Sequence, residues 1–277
     1  MTTKARVADN GEGQVEVIVD GDPDYPANTT RKAVDLLFGD HGWPKGTLIL
    51  EQSMGVPVGY GFGASAAAAI SAVYAAAAAS GFRLTKGELA YYAHAADIVE
   101  RTGLGTVSVT YDGVGAGAIT KAGAPGVSSF LNVRYPPETR IVTASLAPYR
   151  KSDAISKPRT VMRINELGDR SLREFETSPN INTLALEGER FSERLGLMTP
   201  EVRGLAKAAK AAGAAFASQN MIGHAIHALT TATRAESVAN ALRDSSPKPM
   251  VEIFEIGRER ARVLSELSVT PQSAVPS

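Results

Sequence analysis

Two periods organise the hydrophobic and polar positions of this chain. Near the start, KARV (4–7) and VEVIVDG (15–21) are short runs rich in β-branched residues, separated by DNGEGQ. An Asn-Gly pair between such runs predicts a β-hairpin. In TRKAVDLLFGDH (30–41) the apolar Ala33, Val34, Leu36 and Leu37 share one face of a short helix, and TLILE (47–51) reads as a strand. A helix is expected from about Ala64 to Ala79, stopped by Ser80-Gly81. Thr85 followed by Glu88 is a capping-box pair that opens a second helix, which Gly103 closes. TVSVTYD (106–112) alternates as a strand, and a glycine-rich turn, GVGAGAI, follows.

From Arg140 the run IVTASLAP reads as a central strand. Beyond it the texture changes to charged helices at about 158–176, 180–195 and 199–212. Then come a small-residue segment, AAFASQNMIGHAIHAL (214–229), a helix near Arg234 to Arg243, a strand, MVEIFEIG (250–257), and a loose tail. The polar, turn-prone APYRKSDAIS (147–156) places a boundary near residue 150, giving an N-terminal domain at 1–150 and a C-terminal domain at 151–277.

Composition narrows the function classes. The 277 residues carry 29 Lys+Arg against 29 Asp+Glu, so no overall field advertises a nucleic-acid or anionic-membrane partner, and any bound anion must be held locally. No cysteine is present, which excludes disulfides, thiolate metal sites and a cysteine nucleophile, and suits a reducing, cytoplasmic setting. FGASAAAAISAVYAAAAA (62–79) has no charge, yet alanine is only weakly apolar, and a buried soluble helix is expected rather than a membrane span of about 20 strongly apolar residues. The polar opening MTTKARVADNGEGQ does not resemble a signal peptide.

The stretch GVPVGYGFGASAAAAI (55–70) holds four glycines in nine positions and runs into the alanine helix. Glycines let a backbone approach a ligand closely and visit positive φ, and a helix start offers unpaired N–H groups and the positive dipole end. Gly59, Gly61 and Gly63 followed by Ser65 therefore make a natural anion cradle; the competing reading is that the glycines merely allow tight helix packing, and Pro57 with the Gly-x-Gly-x-Gly-x-Ser run weighs against it. A Walker A loop is excluded, because no lysine follows the glycines. A dinucleotide fingerprint is excluded as well, because the alanine helix leads to another helix rather than to a strand ending in an acid.

The run Pro57-Val58-Gly59-Tyr60-Gly61-Phe62-Gly63-Ala64-Ser65-Ala66-Ala67 resembles the second motif of the GHMP kinases. AHAADIVERTGLGTV (93–107), GLMTPEV (196–202) and ASQNMIGHAIHAL (217–229) extend the likeness toward the archaeal pantoate-kinase branch, over about residues 15 to 260. The resemblance implies an α+β protein of two subdomains, ribosomal protein S5 domain 2-like in its N-terminal part and ferredoxin-like in its C-terminal part. It implies that Pro57, Gly59, Gly61, Phe62, Gly63, Ala64, Ser65 and Ala66 wrap the phosphates of ATP, with Ser65 beside Mg²⁺. The implied reaction is phosphorylation of the primary hydroxyl of pantoate, giving 4-phosphopantoate for coenzyme A synthesis. A kinase of another small hydroxy acid or alcohol, and a degenerate ATP-binding homologue without the chemistry, remain as alternatives, and a homodimer is left open. Phosphoryl transfer asks mainly for positioning and charge neutralisation, so such a loop and a metal carry much of the task.

The match departs from the family in three places. Aligning TGLG puts Asp97 where these kinases have a magnesium-binding glutamate, and Thr106 where they have the aspartate that serves as base. A shorter carboxylate can still bind Mg²⁺ if the backbone lies about one methylene closer; threonine cannot act as a base. Asp112, six residues beyond Thr106 in a segment read as strand, shares a face with it at about 3.3 Å per residue and is the candidate replacement, with Glu100 behind it. Second, GVGAGAITKAG carries no arginine for a substrate carboxylate, and Lys121 is the nearest cation. Third, the family's first strand and loop have no counterpart, and a start codon assigned too far downstream is the expected cause.

The remaining polar residues are read mainly as structural. His224 and His227 lack a third ligand, and His94, one turn before Asp97, is read as packing. Ser218, Gln219 and Asn220 fall in a segment resembling the third GHMP motif, which lies against the phosphate loop. Arg258, Arg260 and Arg262 read as a solvated face.

Overall fold

The computed structural model describes residues 1–9, 11, 13–103, 105–148, 157–221 and 223–264. The boundary expected at 148–156 lies almost wholly outside the described residues. The first half contains β1 (Thr2–Ala8), β2 (Gln14–Val19), α1 (Asn28–His41), β3 (Thr47–Ser53), α2 (Ala64–Ala79), α3 (Lys86–Val99) and α4 (Thr106–Asp112). A two-stranded antiparallel ribbon, β4 (Ala116–Lys121) with β5 (Ser129–Val133), follows. The second half contains β6 (Thr139–Ala147), α5 (Pro158–Thr177), α6 (Ile181–Leu195), α7 (Pro200–Ala211), β7 (Phe216–Gln219), β8 (His224–Thr231), α8 (Ala235–Arg243) and β9 (Met250–Glu255). The fold class is α+β, as expected.

The first two strands do not form the expected hairpin. The sheet order is β1-β3-β2, with β1 antiparallel and β2 parallel to β3. Burial explains the insertion. In β3, Thr47, Leu48, Ile49 and Leu50 are all buried, whereas β1 and β2 alternate between exposed and covered positions. A continuously apolar strand takes the centre of a sheet, and alternating strands suit its edges. Helix α1 is the crossover that carries β2 to its parallel partner.

TVSVTYD is helix α4 rather than a strand. Val107, Val109 and Tyr111 would all face the same way in a strand; in the helix Val107 and Tyr111, four apart, reach the first core while Val109 is 37% exposed. Gly105, left-handed at φ 90°, starts the helix. The capping box of Thr85 and Glu88 is formed as expected, with Thr85 Oγ1 accepting from the Glu88 amide and Glu88 Oε2 accepting from the Thr85 amide. Strand β5 had no counterpart in the hydrophobic pattern.

Among the described residues two large hydrophobic cores result, beside a small cluster in which Leu195 packs with Ile164, Leu167 and Phe191. One gathers α1, α2, α3, Val107 and the inner faces of β2 and β3; the other gathers α7, α8 and one face of the four-stranded sheet β7-β8-β6-β9. Strand β6 is interior in that sheet, as the sequence predicts. The segment 214–229 is the β7-β8 hairpin, with Ser218 paired to His227 and Phe216 to Leu229.

Candidate active site

The glycine loop is built for close approach. Gly59, Gly61 and Gly63 hold φ of 90°, 87° and 75°, a region that favours glycine. A Cβ on Gly61 would stand 2.2 Å from the Asn220 carbonyl oxygen, and one on Gly63 would stand 2.6 Å from Thr106 Cγ2. From the other side, a Cβ on Gly223 would stand 2.4 Å from the Tyr60 carbonyl oxygen. Backbone is thus stacked on backbone where the loop meets the β7-β8 turn.

At the end of this loop α2 begins without a side-chain cap and without an acid in its first turn. Its leading N–H groups, around Ala64, Ser65 and Ala66, are therefore donors that no side-chain cap satisfies, at the positive end of a 16-residue helix. Pro57, Phe62 and Ser65 are partly exposed, while Ala64 and Ala66 are buried. The residues present fit a phosphate: glycine where a side chain would intrude, uncapped N–H groups, and no carboxylate to repel it. Among the described residues no group of three or more His, Cys, Asp or Glu could hold a metal.

Thr106 is the first residue of α4, with its methyl against Gly63, so the loop and the TGLG segment do come together. Asp97 is buried at 3% exposure on α3. Its Oδ1 accepts from the Thr102 hydroxyl at 2.8 Å, and Thr102 in turn meets Thr29 Oγ1 of α1 at 3.0 Å. A Cβ on Gly103 would fall 1.5 Å from Asp97 Oδ2, so only glycine fits there. Asp97 thus braces the segment that leads into Thr106. Thr29 and Thr102 carry no signal in the sequence, because nothing in their spacing connects α1 to the end of α3.

Asp112 is corrected by the helix. It stands six positions beyond Thr106 at the far end of α4, about 9 Å along the axis, and it accepts from Ser128 Oγ at 2.9 Å instead. A shared face six positions apart holds only for a strand. Lys121 is exposed at the end of β4, Glu100 follows α3, and His94 is half-buried on it.

The third segment does line the loop. Ser218, Gln219 and Asn220 are all buried; Gln219 Nε2 donates to the Gly223 carbonyl, and Asn220 Oδ1 lies 2.7 Å from His227 Nδ1. Three positions apart on β8, His224 and His227 point to opposite faces of the sheet, so they are not a metal pair. His227 faces a cavity of about 420 Å³ between β4, α6 and the sheet face opposite α7 and α8. Burial lowers the His227 pKa below the ordinary 6.5, because desolvation disfavours the imidazolium. The unfolded chain then binds this proton first, so its contribution to stability is complete above pH 6.5 and is lost as pH falls through the lower folded value. Thermal unfolding between pH 7 and 5 is expected to show a steeper drop in Tm for the wild type than for His227→Phe.

Arg258, Arg260 and Arg262 are exposed, as expected, with Arg262 paired to Glu259 at 3.0 Å. No helix among the described residues is long and apolar enough to cross a membrane.

Comparison with known proteins agrees with this geometry. Residues 28–113 match the GHMP kinases N terminal domain. Pantoate kinase of Thermococcus kodakarensis is 27% identical over 207 residues, covering 75% of this chain and 67% of that protein. A solved structure described as a phosphotransferase related to the CoA biosynthesis pathway superposes with a TM-score of 0.78 at 26% identity, covering 92% of this chain and 83% of that one. Homoserine kinase from Cytophaga hutchinsonii shares the fold with a TM-score of 0.69 at 18% identity, over 92% of this chain and 85% of its own. The first half of the chain thus contains a stretch that matches the GHMP kinases N terminal domain, and over 92% of its length the chain shares the fold of a homoserine kinase.

Proposed function

We propose that this chain is an ATP-dependent kinase of a small alcohol, with pantoate as the acceptor and 4-phosphopantoate as the product. The observation that carries the reading is the bare loop at the uncapped start of α2, where Gly61 and Gly63 touch Asn220 and Thr106 and leave the N–H groups of 64–66 for a phosphate. Likeness to a pantoate kinase and to a CoA-pathway phosphotransferase supports the choice of acceptor.

Ser65 and Asp97 are the protein oxygens assigned to Mg²⁺. When bound, the ion neutralises charge on the phosphates. Ser65 offers its hydroxyl from the first turn of α2, and Asp97 offers a carboxylate already oriented by Thr102. The loop holds the phosphate chain and excludes side chains from its approach. Thr106 occupies the place of the family's base with a hydroxyl, so transfer here proceeds without a carboxylate base at that position. A loose phosphoryl-transfer transition state draws the alcohol's proton off late, which makes that arrangement workable.

The test incubates the purified full-length chain with ATP, Mg²⁺ and pantoate, mevalonate or homoserine in turn, and follows ADP. Release with pantoate well above the others is the expected result; measurable ATP binding with no turnover of any acceptor overturns the kinase reading. Ser65→Ala is expected to raise the magnesium concentration for half-maximal turnover by roughly 10- to 100-fold, the scale on which loss of a supporting group weakens a metal site. Unchanged magnesium dependence in that variant removes Ser65 from the metal.

A further inference from the structure

Helix α3 leaves one face uncovered. Its buried side, which carries Asp97, packs on α1 and α2. On the other side Tyr91 is 56% exposed, Ile98 62% and Val99 56%, with the half-buried His94 and Ala95 between them. Spacings of three, four and seven residues put these positions on one stripe of the helix. A large apolar side chain exposed singly is ordinary on a protein surface. Among the described residues no other helix exposes more than one, and α3 exposes three.

The charges that flank the stripe point to its partner. Lys86 and Glu88 precede it, Glu100 and Arg101 follow it, and none of the four belongs to an ion pair among the described residues. Glu88 Oε2 is held in the helix cap, which leaves Oε1 for another group. A two-fold axis crossing α3 at right angles between His94 and Ala95 sets Tyr91 of one protomer opposite Ile98 of its partner, because the two stand equally far from the middle. The same axis brings Glu88 opposite Arg101 and Lys86 beside Glu100, so that opposite charges meet at both ends. Parallel packing would set like against like. Antiparallel packing also opposes the two helix dipoles, and Ala95, with only a methyl at the crossing point, lets the helices approach closely. We propose that this stripe is a homodimer interface in which α3 packs antiparallel on α3 of a second copy of the chain. A stripe of three turns falls short of the roughly 800 Å² per partner of a standard interface, so the association is reversible and in the micromolar range. The interface lies on the side of α3 opposite Asp97 and is independent of the kinase reading.

The chain has no cysteine, which opens a direct test on the full-length protein. Ala95→Cys places one thiol at the crossing point, and Met162→Cys places one at a 70% exposed position on α5 as the control for chance collision. Under mild oxidation at tens of micromolar, Ala95→Cys is expected to form a disulfide-linked dimer well ahead of Met162→Cys. Sedimentation equilibrium of the wild type is expected to show monomer at low micromolar concentration and dimer at hundreds of micromolar. Tyr91→Glu and Ile98→Glu each place a charge at a position more than half exposed in the monomer. Both are expected to stay monomeric over the whole range, with the Tm of the dilute protein unchanged. Arg101→Glu, which sets like charges together at both ends, is expected to weaken association by roughly tenfold at low salt and by less at high salt, where the charges are screened. A wild type that stays monomeric at every concentration overturns the proposal, and is the result expected if a different protein covers the stripe. A dimer that survives both Tyr91→Glu and Ile98→Glu overturns it as well, as does equal cross-linking of the two cysteine variants.

Discussion

Gly61→Ala is expected to reduce ATP-dependent turnover by at least about 100-fold, equivalent to about 2.7 kcal/mol of lost transition-state stabilisation. Two costs act together. A non-glycine residue at φ +87° carries left-handed strain of roughly 1–2 kcal/mol. The added methyl would also stand 2.2 Å from the Asn220 carbonyl oxygen, a backbone atom that cannot rotate away. The loop and the β7-β8 turn must part, and the N–H groups at the start of α2 lose their alignment with the phosphate. Gly21→Ala isolates the first cost, since Gly21 has φ +85° and an added Cβ there would meet no atom within 4 Å. Steady-state ADP release and ATP affinity for both variants check the expectation. Equal, mild losses in the two would show that the Gly61–Asn220 contact does not position the nucleotide.

Asp97 carries the second large effect, read as a pair of substitutions. Asp97→Ala removes the acceptor for Thr102 and empties the space against Gly103, so stability is expected to fall by about 1–3 kcal/mol along with activity. Asp97→Asn keeps a carbonyl oxygen for Thr102 and nearly the same volume while removing the charge. Its Tm is expected to lie close to that of the wild type, while the magnesium needed for half-maximal turnover rises at least about tenfold. Calorimetry and a magnesium titration of both proteins give the answer. Normal magnesium dependence in Asp97→Asn would confine Asp97 to bracing the segment that leads into Thr106.

The geometry of the candidate loop was legible in the sequence because it is local. Gly59, Gly61, Gly63 and Ser65 announce a bare backbone running into a helix, and the helix start follows from the alanines behind them. Thr85 and Glu88 specify their own cap within four residues. What failed to read locally failed for identifiable reasons. TVSVTYD is too short for periodicity alone to separate strand from helix, and Val109 had to be seen facing outward to decide it. Asn10-Gly11 is a sound turn signal, yet the strands on either side of it are parted by β3, whose apolar run claims the centre of the sheet.

By itself, then, the sequence determined the bare glycine loop and the positions of most helices, since each depends on neighbours a few residues apart, and its lack of cysteine excluded thiol chemistry. Only the tertiary structure decided what stands against them. Asn220 meets Gly61, and Thr102 joins Thr29 to Asp97, because contacts between residues far apart in the chain depend on how the cores pack and leave no spacing to read.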